Sequence, residues 1–109
     1  MKELIESVKV LASEELKRAN VEFPAFNSTH EGYAVIKEEI EESSDELEDV
    51  NFDLNNMWRY IKLNNTNEAT KYAKHLKQSA INLAAEAIQV AAMAQKFIDS
   101  SKQWEAHNE

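Results

Sequence analysis

Apolar positions recur at three- and four-residue spacing through most of the chain. Leu4, Val8, Leu11 with Ala12, Leu16 and Ala19 share one side of a helical wheel. They predict an amphipathic helix over residues 2–20 with a solvated Lys/Glu face. The segment Val21-Glu22-Phe23-Pro24-Ala25-Phe26-Asn27 cannot extend that helix. Pro24 has no amide hydrogen and restricts Phe23 to extended conformations, so Phe23 and Phe26 are expected to dock a connecting loop. Ser28, followed three residues later by Glu31, fits a capping box that opens a second helix. Gly32 falls in its first turn, where low helix propensity matters least. From Ile36, alternating steps of four and three through Ile40, Ser43, Leu47, Val50, Leu54, Met57 and Ile61 draw a single stripe. One helix over residues 29–63 is expected, with room for a break near Asn51.

Asn64-Asn65-Thr66-Asn67 reads as a tight polar turn, and a third helix is predicted over residues 68–99. Its main face carries Ala69, Leu76, Leu83, Ala87, Val90 and Ala94, while Ile81, Ala85, Ile88 and Ala92 lie opposite Leu83. A helix apolar on both sides is normally buried all round, and one short N-terminal helix cannot cover it. The expected fold is therefore all-α: an antiparallel helical bundle forming a single domain over residues 1–100, its core completed by homodimerisation or tetramerisation. Residues 101–109, SKQWEAHNE, are expected as a polar tail, and Trp58, beside the stripe, as core.

Composition narrows the partners. With one Gly and one Pro in 109 residues, helix is favoured throughout. Twenty acidic residues against twelve basic ones give a net charge of -8, which repels a phosphate backbone, so no nucleic-acid partner is expected. The absence of Cys excludes disulfides, thiolate zinc sites and cysteine nucleophiles. No apolar signal segment opens the chain, and Ala80–Ala94 is interrupted by Asn82, Glu86 and Gln89, short of the roughly 20 apolar residues of a membrane span. A cytoplasmic protein without a membrane partner is expected.

The acidic residues divide by direction. Wheel arithmetic from Ile36 sets Glu39, Glu42, Glu46, Asp49 and Asp53 along one border of the stripe, and Glu38, Glu41, Asp45 and Glu48 on the far side. A Glu run is ordinarily a solvated face, which accounts for the second group. For the first, the third helix offers a facing polar line: His75, Gln78, Asn82, Glu86 and Gln89. In an antiparallel hairpin turning near Asn65, Glu42 stands level with Gln89, Glu46 nearly level with Glu86, and Glu39 within two turns. Clustered oxygen ligands suit magnesium or manganese better than zinc or copper. Asn82 lies on the same line, and Tyr60, Lys71 and Lys74 near the turn are candidate phosphate contacts, although solvated surface is the better explanation of such positions. His30 and His75 form no pair with metal-ligand spacing.

HEGYAVIKEEIEE followed by EAIQVAAMA resembles the MazG-related all-alpha nucleoside triphosphate pyrophosphohydrolases, especially the small bacteriophage-encoded members, over about residues 28–99. The family pattern pairs E-E-x-x-E on one helix with E-x-x-D on the next. The resemblance implies magnesium binding by Glu39, Glu42, Glu86 and Gln89, with Glu39 as base or ligand. It further implies hydrolysis of a nucleoside triphosphate to the monophosphate and pyrophosphate, in dimers or tetramers with sites near subunit interfaces. Gln89 departs from the pattern, replacing a charged oxygen by a neutral carbonyl, a loss that Glu46 could offset. The alternative is a catalytically weak or inactive nucleotide-binding or host-interaction protein on the same fold. A purely structural dimer fits poorly with Glu86 and Asn82 in an otherwise apolar helix.

Overall fold

The computed structural model describes residues 1–108, with side chains through Glu105. Three helices, α1 (Lys2–Asn20), α2 (Thr29–Lys62) and α3 (Thr66–Asn108), make up the fold, with no strand among the described residues. The all-helical expectation holds. α2 runs unbroken through Asn51, and α3 continues past residue 99 to Asn108, so the expected polar tail is helical as far as it is described. Within the chain two compact units can be distinguished. Met1–Ile40 with the residues from Ala87 onward make the first, and Glu41–Glu86 the second.

The first unit is built around Phe26, Ala92 and Met93, against which Leu16, Ala19, Val35, Ile36, Phe97 and Trp104 pack. Trp104 meets the Phe97 ring edge-on at 5.2 Å, which gives the C-terminal segment an apolar reason to stay helical. The Pro24 connection is held by polar groups that periodicity does not reveal. Ser100 Oγ accepts the Phe26 N–H at 3.0 Å, and Lys96 Nζ donates to the Phe23 carbonyl while lying 4.8 Å from the Phe26 ring centroid. Both Lys96 and Ser100 are buried, so the loop carbonyl and amide they satisfy would otherwise be costly to enclose. Phe26 anchors the loop as expected, whereas Phe23 is exposed.

The apolar stripe of α1 is unevenly covered. Leu16 and Ala19 reach the core, whereas Leu4, Val8 and Leu11 stay exposed. At the start of α2, Ser28 Oγ accepts the Glu31 N–H at 3.1 Å. The Glu31 carboxylate takes the Asn27 side-chain N–H at 3.0 Å, so the box closes through Asn27. Gly32 is there for space. A Cβ on it would lie 2.6 Å from Phe97 Cδ2 and 3.1 Å from Phe26 Cδ2.

The second unit is a helical hairpin. α2 ends with Asn64 at φ 55°, a left-handed conformation that Asn tolerates. The Asn64 N–H bonds to the Ile61 carbonyl and the Asn65 N–H to the Tyr60 carbonyl, the paired bonds of a Schellman cap. Asn65 Oδ1 then accepts the Glu68 N–H at 3.1 Å and caps α3, so the polar turn is the junction of two caps. Tyr60 stacks on Tyr72 at 5.7 Å, and Tyr72 meets His75 edge-on at 5.8 Å. Trp58 is exposed rather than core, with Lys62 Nζ 5.6 Å from its ring centroid.

The α2 stripe is only half covered. Ile36, Ser43, Val50 and Met57 are half-buried. The alternate line, Ile40, Leu47, Leu54 and Ile61, keeps 50%, 49%, 52% and 49% of its surface exposed. Likewise Ile81 is exposed on a stretch of α3 expected to be buried all round.

Gly32→Ala tests the close packing at the α2 entry. The added methyl should gain up to about 1 kcal/mol of helix propensity but cost about 1–3 kcal/mol in overpacking against Phe97 and Phe26. A lowered thermal midpoint by circular dichroism is expected; a raised one would show that the Phe97 ring moves aside freely.

Candidate metal centre

Glu39 and Glu42 stand about one turn apart on α2, and Glu42 faces Glu86 of α3 within the hairpin unit. One carboxylate oxygen from each of Glu39, Glu42 and Glu86 lies within 4.8 Å of the others. Glu39 and Glu86 are half-buried and Glu42 is exposed, so the cluster is reachable from solvent. The donor set fits a hard divalent cation. Around magnesium, oxygens at 2.0–2.1 Å stand about 3 Å apart when adjacent and about 4 Å when opposite, a spread this cluster can adopt with small side-chain adjustments. Three carboxylates converging in this way repel one another, and a cation between them removes the repulsion.

The other expected ligands are placed differently. Gln89 donates its amide to Glu15 Oε1 at 2.7 Å, tying α3 to α1. Glu15 also pairs with Arg18 Nη1 at 3.1 Å. Three residues beyond Glu86, the Gln89 side chain is thus engaged by α1 and is not one of the converging oxygen ligands. Sequence reasoning missed Glu15, although its place four residues after Leu11 puts it at the edge of the α1 stripe. Glu46 is half-buried one turn after Glu42 and is not one of the three converging carboxylates.

Of the expected substrate contacts, Asn82 lies one turn before Glu86 and accepts the Gln78 amide at 3.0 Å. Tyr60, Lys71 and Lys74 stand further along the hairpin, towards its turn. Tyr60 lies eighteen residues beyond Glu42, about 27 Å along α2, and Lys71 and Lys74 precede Glu86 by about 22 and 18 Å. Tyr60 is committed to its stack on Tyr72, and the two lysines are exposed. His30 lines an apolar cleft of about 500 Å³ with Thr29, Tyr33, Ile36 and Phe97. Tyr33 and Phe97 were not singled out from the sequence, because aromatics at helical spacing carry no signal that separates cleft from core.

No helix among the described residues is long and apolar enough to cross a membrane. Comparison with family models, curated proteins and solved structures gives no match.

The cluster predicts a titratable cation site. Manganese binding, followed by electron paramagnetic resonance, should weaken by about tenfold or more in Glu42→Gln and Glu86→Gln. Glu46→Gln should change it little; equal losses in all three variants would place the ion elsewhere.

Proposed function

We propose that this chain is a metal-dependent nucleoside triphosphate pyrophosphohydrolase of the MazG-like kind. The reading rests on the convergence of Glu39, Glu42 and Glu86, the three acids that the sequence resemblance nominates as ligands. Magnesium or manganese bound there would neutralise phosphate oxygens and acidify a water. Glu42 and Glu86 hold the ion. Glu39, about one turn away and half-buried, orients the attacking water and takes its proton. Water adds at the α-phosphorus, the bond to the bridging oxygen breaks, and pyrophosphate leaves with the nucleoside monophosphate as second product.

A second copy of the chain fits the uncovered line on α2. Ile40, Leu47, Leu54 and Ile61 recur every seven residues, the interval at which two helices can keep one seam in contact, and each is about half exposed. A homodimer, or a tetramer built from two, buries that line. The competing reading, nucleotide binding with little turnover, is favoured by the Gln89–Glu15 hydrogen bond, which engages the fourth expected ligand in holding α1.

The decisive measurement is pyrophosphate release over ribo- and deoxynucleoside triphosphates with magnesium, with manganese and with neither. Metal-dependent release is expected, reduced about a hundredfold or more in Glu39→Gln. Undiminished release in Glu42→Ala or Glu86→Ala would refute the assignment, and tight nucleotide binding without release would select the competing reading.

Light scattering at micromolar concentration should show at least a dimer. Leu47→Glu combined with Leu54→Glu should shift it to monomer, since charge cannot be buried in such a seam. A wild-type monomer would exclude the interface.

A further inference from the structure

Two turns towards the α2–α3 junction from the acidic cluster, the hairpin opens a second cleft, of about 320 Å³, lined by Asp49, Phe52, Asp53, His75, Gln78 and Ser79. Asp49 follows Glu42 by seven residues and Ser79 precedes Glu86 by seven. Each is therefore nearly in line with its acidic counterpart, about 10 Å along the helix. Asp53 and His75 continue the same lines one turn further. Cluster and cleft thus share one polar seam between α2 and α3.

Asp53 sets the chemistry of this cleft. Its residue exposure is 6%, yet the one hydrogen bond to its carboxylate among the described residues is a long one, 3.5 Å from Ser79 Oγ. The carboxylate thus keeps acceptor capacity that a donor entering the cleft can take up. On the cleft wall, one Gln78 amide N–H is given to Asn82. Phe52 and His75, both exposed, offer ring faces beside it.

We propose that this cleft is a nucleobase site that selects guanine. A carboxylate presents two parallel acceptors and is matched best by two parallel donors. Guanine offers them in its N1–H and exocyclic N2–H. On cytosine and adenine, an acceptor stands beside the amino group on the pairing edge and would meet the second carboxylate oxygen unfavourably; uracil and thymine offer a single N–H between two carbonyls. Asp53 takes the N1–H and N2–H pair, His75 can donate to O6 or N7, and Phe52 packs on the ring. The proposal deepens the hydrolase reading and rests on it for the triphosphate, whose phosphates would lie towards Glu42 and Glu86.

The test uses monophosphates without metal, so it does not depend on hydrolysis. Calorimetric titration of the full chain with guanosine, inosine and uridine monophosphates should show guanosine monophosphate binding about tenfold or more tighter than inosine monophosphate, which lacks only the N2 amine. Asp53→Asn should abolish that preference while retaining the helical circular dichroism signal. Glu86→Gln should leave it intact. Equal binding of the three nucleotides by the wild-type protein would overturn the proposal even if pyrophosphate release is found. A guanine preference lost in Asp53→Asn but without pyrophosphate release would keep the cleft and remove the hydrolase.

Discussion

The register of α2 against α3 governs the rest of the molecule's chemistry. It is set at a three-residue junction, where the left-handed Asn64 ends one helix and Asn65 caps the next. With so short a link, the heights at which side chains meet are fixed turn by turn. Tyr60 meets Tyr72, Asp53 meets Ser79, and Glu42 meets Glu86. A slip of one residue would turn each polar side chain of one helix by about 100° away from its partner. The aromatic stack near the turn and the acidic cluster further along are therefore two readouts of one alignment.

That alignment tolerates an unfavourable arrangement. Three carboxylates gathered within 4.8 Å add nothing to stability by themselves. The apolar contacts available to offset them within a single chain are few, because half of the α2 stripe faces outward. Packing is concentrated in the first unit, around Phe26, Ala92 and Met93. An apolar cover on the outer line would relieve the hydrophobic deficiency.

Periodicity made the helices legible, and it did so because spacing at three and four reflects the helix itself, independent of partners. The boundaries at Lys2–Asn20 and Thr29–Lys62 agree closely with those expected. The converging trio Glu39, Glu42 and Glu86 was legible as well, since height and azimuth on an antiparallel pair follow from residue number once the turn is located. What escaped was whatever depends on a third element. The direction of Gln89 is decided by Glu15 on α1, and the loop anchors Lys96 and Ser100 answer to a carbonyl and an amide some seventy residues away. Trp58 and Phe23 escaped for another reason: a wheel says which side a residue is on and not whether anything covers that side.

The anchoring of the Pro24 loop by Lys96 and Ser100 bears on the order in which the fold assembles. Those bonds join residues 73 and 74 positions apart, and the Gln89–Glu15 bond also spans 74. The hairpin of the second unit is closed by contacts across a short turn. Loop closure is entropically cheaper for short separations, and native structure gathers fastest where contacts are local. Formation of the hairpin shortens the effective span between Phe26 and Ser100 before either has found its partner. The first unit, stitched from both ends of the chain, thus closes its long-range bonds across a span that a local hairpin can shorten.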